Sequence, residues 1–220
     1  AGFSVVWDKV AKESDGVYSR VGKIASPKAT VTERITFGSN GAYKVAFSIE
    51  KADGTPDLPR FGAYLLIDPA SKVTYYGRGP EENYSDRHDG SPVGQYTTTV
   101  DDMFVNSYSE PGEFGYRTDC RWVEVSGKDG TLRVTALDSN GVKTTKDSVA
   151  TISFSAKRML NRDLESTEHN WMVPRYNFAA FNIDFAQLGV GGDNAWGAQP
   201  YEQFRLRDKS YSYEILVETK

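Results

Sequence analysis

The stretch GVGGDNAWGAQP (189–200) mounts a tryptophan, the largest apolar side chain, on a run of glycines and an Asp-Asn pair. Such a backbone reaches angles closed to other residues. An indole face stacks on the C–H face of a sugar, while carboxylates and amides take its hydroxyls, so Trp196 beside Asp193 and Asn194 suits a saccharide. The residues alone leave two readings open: Trp196 contacts a ligand, or it folds back to plug its own domain. A second concentration of reactive groups is GPEENYSDRHDG (79–90). Glycoside hydrolysis needs two carboxylates held a few ångströms apart, and Glu81, Glu82, Asp86 and Asp89 are close in sequence. With 30 acidic residues in the chain, that clustering is cheap. The plainer reading is a solvated acidic loop or carboxylates that cap turns. A mutarotase-like epimerase would need a histidine acid and a carboxylate base, for which His88 and His169 are the candidates.

Other chemistries lack their residues. The two histidines are too few for a histidine-rich metal site and neither lies in HExxH; Cys120 stands alone, so there is no internal disulfide and no cysteine zinc site. There is no GxSxG, no GxxxxGK[ST] and no complete GxGxxG. Net charge is −4 with Lys and Arg scattered among the acids, which excludes a basic face for nucleic acid. The longest apolar runs, such as AYLLI (63–67), are strand-sized, far short of a membrane helix, and predict a soluble chain.

These groups must be carried by strands. In AYKVAFSIE, Tyr43, Val45, Phe47 and Ile49 face one way and Lys44, Ser48 and Glu50 the other. FNIDF places Phe181, Ile183 and Phe185 inside and Asn182 and Asp184 outside; the last segment places Tyr211, Tyr213, Ile215 and Val217 inside and Glu214 and Glu218 outside. TLRVTAL (131–137) and VATISFSA (149–156) alternate as well. Asn40-Gly41, Asp53-Gly54, Asp129-Gly130 and Asn140-Gly141 are read as hairpin joints. Only KRMLNRDLEST (157–167) has helical spacing. Antiparallel strands with one buried face each require a second sheet, so the expected class is an all-β sandwich, one domain over 1–220. The stretch from Gly77 to Gly115 breaks the alternation and is expected to wrap a sheet or form part of a site. The opening AGFSVVWDKV has no initiator methionine and no signal-peptide pattern, which suggests a piece of something larger.

Three segments in order, YYGRGPEENYSDRHDGSPVGQYTTTVDDM (75–103), YSEPGEFGYRTDCRWVEV (108–125) and NIDFAQLGVGGDNAWG (182–197), resemble the C-terminal domain of glycoside hydrolase family 2 β-galactosidases. Weaker similarity extends to LPRFG (58–62) and LESTEH (164–169). The resemblance implies an antiparallel β-supersandwich similar to the galactose mutarotase fold, closing the C-terminal end of a multidomain enzyme that hydrolyses terminal β-D-galactose residues. It implies that the two catalytic glutamates sit on an earlier (β/α)8 barrel, leaving no catalytic residue in this chain and an inactive isolated fragment. By match to the GGDxxW motif, Trp196 would wall the galactose pocket, with Asp193 and Asn194 shaping its loop. Glu82, Asn83 and Arg87 are further loop candidates, read mainly as structural, Arg87 pairing with Glu82 or Asp86. No metal or cofactor is expected in this domain; Mg and Na ions are expected in the parent's barrel. The implied partners are the preceding domains, the β-galactoside and, for the parent, copies of itself, with neither nucleic acid nor membrane, in cytoplasm or periplasm. An independent carbohydrate-binding module and an aldose epimerase are the alternative functions.

Overall fold

Alternation in the sequence becomes fourteen strands in a computed structural model, which describes residues 4–26, 28–105, 110–138, 140–141, 143, 149–194 and 196–220. The strands are β1 Val5–Trp7, β2 Ala11–Ser14, β3 Val17–Ile24, β4 Ala29–Phe37, β5 Tyr43–Lys51, β6 Arg60–Ile67, β7 Lys72–Arg78, β8 Val93–Thr99, β9 Arg117–Cys120, β10 Trp122–Gly127, β11 Gly130–Leu137, β12 Ile152–Lys157, β13 Ala179–Gln187 and β14 Ser210–Thr219. Every pairing is antiparallel. One sheet of ten strands runs β1-β3-β4-β5-β14-β11-β10-β7-β8, with β2 beside β3; a second of four runs β6-β13-β12-β9. The chain is an all-β sandwich, as the period of two predicts.

Its core lies between the inner faces. Val45, Ile49, Val73, Tyr75, Val123, Val134, Ile215 and Val217 from the larger sheet meet Phe61, Phe154, Phe181 and Ile183 from the smaller. Tyr75 packs edge-on against Phe154 with centroids 5.1 Å apart, and Phe61 against Tyr213 at 5.5 Å. Each fully buried aliphatic or aromatic side chain contributes about 2 kcal/mol. This interface therefore holds the sheets together.

Some readings of the sequence are corrected. Asn182 and Asp184, expected to face solvent, are buried at 5% and 1% exposure. The smaller sheet carries a third layer: Glu113, Phe114 and Tyr116 pack over its outer face, where Phe114 joins Met159, Leu164 and Val173 in a second apolar cluster. Asp53-Gly54 turns the chain, with Gly54 at φ +77°, yet it joins β5 to β6 in different sheets and is no hairpin. The helix predicted over 157–167 shrinks to α1, Asn161–Ser166, because Lys157 ends β12 and is drawn inside by Glu113. Asp163 fixes the start of α1 by accepting from the Leu160 amide at 2.8 Å. Asn40-Gly41 and Asp129-Gly130 do join hairpins, β4 to β5 and β10 to β11. Past Asn140-Gly141, an isolated bridge joins Leu137 and Lys143, and residues 144–148 lie outside the described residues.

Candidate functional site

The glycine-rich loop leaves β13 and crosses to β14, from one sheet to the other. Its ends are tied: the Leu188 amide donates to the Pro59 carbonyl and the Gly189 amide to the Phe204 carbonyl, both at 2.9 Å. Asp86 then takes the next two amides, Val190 N–H on Oδ1 at 3.1 Å and Gly191 N–H on Oδ2 at 2.7 Å. The glycines are spatial requirements. A Cβ on Gly189 would stand 2.5 Å from that Asp86 carboxylate, and one on Gly192 would stand 2.4 Å from the Ala198 carbonyl. At the tip, Asn194 Oδ1 accepts from the Trp196 amide at 2.8 Å, and Asp193 Oδ1 accepts from the Tyr201 hydroxyl at 2.7 Å. Gly197, at φ +88°, reverses the chain behind the tryptophan. Trp196 is 93% exposed. The ring does not plug its own core. Ala195, between these residues, lies outside the described residues, as do Tyr108 and Ser109 of the second matching segment.

The GPEENYSDR segment is the brace beneath this loop. Asn83 is fully buried: its amide nitrogen donates to the carbonyls of Arg78 at 3.1 Å and Glu81 at 2.9 Å, and its oxygen accepts from the Thr118 amide and hydroxyl at 3.0 and 2.6 Å. Glu82 accepts from Arg87 at 2.8 Å and from the Gly115 amide at 2.7 Å, and Arg87 also covers the Tyr84 ring at 4.8 Å. Arg87 thus pairs with Glu82. Glu82, Asn83 and Arg87 pin strand ends and turns, and Asp86 reaches the tryptophan loop. Sequence reasoning placed Asp86 in a loose acidic cluster and as an alternative partner for Arg87. The available signal was a short carboxylate in one loop and a glycine run with free amides in another, and nothing in linear order says that the two meet.

Beside the loop, Gly189 and Val190 help wall a cleft of 340 Å³ with Arg60, Glu113, Asn161 and Gln187. Behind it lies a buried cluster of two cations and two carboxylates. Arg60 pairs with Asp184 at 2.5 Å and with Glu113 at 3.6 Å, and Lys157 pairs with Glu113. Burial pushes Asp184 up to about 6, the Arg60 guanidinium opposing only in part. Burial acts the same way on Glu113, but Lys157 and Arg60 outweigh it and hold that carboxyl below its ordinary range. Lys157 is lowered by burial, against the pull of Glu113. The charges offset one another within the fold, although Arg60 makes its hydrogen bonds through Nη2 alone and leaves Nε and Nη1 without one.

The sequence profile of the family described as beta galactosidase small chain matches residues 3–217. This chain belongs to that family. Among similar proteins, the beta-galactosidase of Vibrio cholerae serotype O1 is 32% identical over 166 residues, 75% of this chain and 14% of the relative. That of Streptococcus thermophilus is 29% identical over 197 residues, 89% of this chain and 18% of the relative. That of Priestia megaterium is 27% identical over 180 residues, 80% and 16% respectively. The chain therefore spans less than a fifth of these relatives' length.

Within the small-chain fold the two histidines lie apart in setting. His88 is half-buried with its Nε2 3.9 Å from Asp89, whereas His169 stacks on Trp171 at 4.3 Å on the surface. Among the described residues no three His, Cys, Asp or Glu side chains come together in a way that could hold a metal ion. No helix among them is long and apolar enough to cross a membrane.

Proposed function

We propose that this chain is the C-terminal domain of a β-galactosidase that releases terminal β-D-galactose, and that it lends Trp196 to an active-site wall completed by other domains of the same polypeptide. The reading is supported above all by one observation: an indole 93% exposed on a loop whose amides are fastened to Asp86. A ring held outward by a rigid sheet can meet a substrate at low entropic cost. Asn194 and Asp193 set the turn that presents it. The carboxylates that break the glycosidic bond belong, in this reading, to a barrel earlier in the polypeptide, where retention through a glycosyl-enzyme needs a pair about 5 Å apart. Here Glu82 and Asp86 are engaged in bracing loops.

Stacking on one sugar face is worth about 1 kcal/mol, or about fivefold in binding. Trp196→Ala in the full-length enzyme is accordingly expected to raise KM for a galactoside about fivefold and to change kcat by less than about twofold. Steady-state kinetics on a chromogenic β-galactoside measure it. Unchanged KM and kcat would remove the proposed role of the ring.

A further inference from the structure

The two sheets are unequal, and the excess is apolar. β6 packs over β14, Phe61 meeting Tyr213, while the larger sheet continues past β5 through β4, β3 and β1, whose inner face lines an open cavity beside β6 among the described residues. At a strand spacing of about 4.8 Å, three strands leave roughly 14 Å of floor, wide enough for at least one more strand. The uncovered floor and the side of β6 enclose a trough of 580 Å³ lined by Ile24, Val31, Ile35, Val45, Phe47 and Leu65 among others. Its floor carries one opposite-charge pair, Arg20 with Glu33, adjacent in the β3-β4 register, with the guanidinium 4.1 Å from the Trp7 ring. Arg60 at the start of β6 also lines the trough, its charge paired with the buried Asp184.

Its wall is an edge. β6 pairs with β13 on one side and with no strand on the other among the described residues. Edge strands are normally blunted by charge, proline or bulges. From Phe61 to Ile67 β6 has no charge and no proline, and it exposes Tyr64 at 57%, Leu65 at 40% and Leu66 at 59%. Unpaired amides beside exposed apolar side chains are what an added strand buries, through ladder hydrogen bonds and alternate side-chain pockets together.

We infer that this trough receives an extended, alternately apolar segment of the same polypeptide, N-terminal to β1, which pairs with the free edge of β6 and extends the smaller sheet over β4 and β3. The choice of occupant rests on two observations. Val5 and Trp7 of β1 themselves line the trough, so a chain entering β1 from its N-terminal side arrives there, and Gly22 opposite them leaves the room they occupy. The relatives also carry most of their length outside the matched region, this chain spanning 14–18% of it. The inference is independent of Trp196 and of the reaction assigned to the whole enzyme.

The test uses the full-length polypeptide with p-benzoylphenylalanine in place of Leu65, irradiated and mapped by peptide mass spectrometry. The expected product is an intramolecular cross-link to a segment preceding β1. Hydrogen exchange on the unmodified full-length protein gives a reading free of any substitution: the β6 amides facing away from β13 should be protected to the same degree as those paired with it. A cross-link to a second copy or to a later segment, or fast exchange along that edge, would overturn the proposal.

Discussion

Asp86 and Asp184 show how differently two aspartates of one chain are used. Asp86 is half-buried and accepts from two consecutive amides of the tryptophan loop. Removing it frees two partly solvated donors, a cost of about 1 kcal/mol that falls on the loop rather than on the core. Asp86→Ala in the full-length enzyme is expected to raise KM in the same direction as Trp196→Ala, and the double variant to resemble Trp196→Ala alone, because both changes act through one ring. Additive effects on KM would show that Asp86 acts elsewhere. Asp184 is enclosed, and its carboxyl titrates at about 6 against an ordinary 3.8. The folded state therefore binds more protons than the unfolded one between these values, so this group's contribution is full below about 4 and declines as pH rises through about 6. The melting temperature of the wild type relative to Asp184→Asn should fall over that window; a difference flat with pH would contradict the assignment.

At the scale of elements, close approach decides which strands can be neighbours. β6 and β13 pair Gly62 with Asp184, and a Cβ on Gly62 would lie 2.7 Å from the Asp184 Cα. Backbone cannot yield as a side chain can, so Gly62→Ala should cost about 1–3 kcal/mol, read as a lowered denaturation midpoint. An unchanged midpoint would mean that the two strands separate more easily than their packing indicates. The same pairing explains why the alternation of FNIDF misleads. Period two states that Asn182 and Asp184 share a face opposite Phe181 and Ile183, and this holds. It does not state that the polar face is wet. Here that face meets Arg60, Lys157 and Glu113 under a layer of loops, and Asn182 donates to Ser155 at 3.2 Å. A buried polar row needs partners from distant segments, and these come from β6, β12 and the stretch after β8.

For the whole molecule, the sandwich is a platform. Its core is apolar, its buried Lys51 and Arg117 donate to carbonyl and hydroxyl oxygens, and its most exposed indole among the described residues sits on a loop that bridges the sheets. In the proposed function such a platform positions a group for chemistry done elsewhere. Residues 1–220 purified alone are therefore expected to leave a chromogenic β-galactoside intact, and turnover by that preparation, with host enzyme excluded, would refute the division of labour proposed above. The ten-strand sheet facing a four-strand one leaves the apolar trough that the proposed further segment would fill.

The all-β class, the strand faces of 43–50 and 211–218, two of the hairpins and the loop that bears Trp196 were legible in the linear sequence, because side-chain alternation and the positive φ of glycine are local properties. The outward direction of the indole, the grip of Asp86 on the loop and the burial of Asp184 were decided only by tertiary structure. Each depends on segments tens to more than a hundred residues apart meeting in space, and a hydrogen bond or a lost hydration shell exists only once they do.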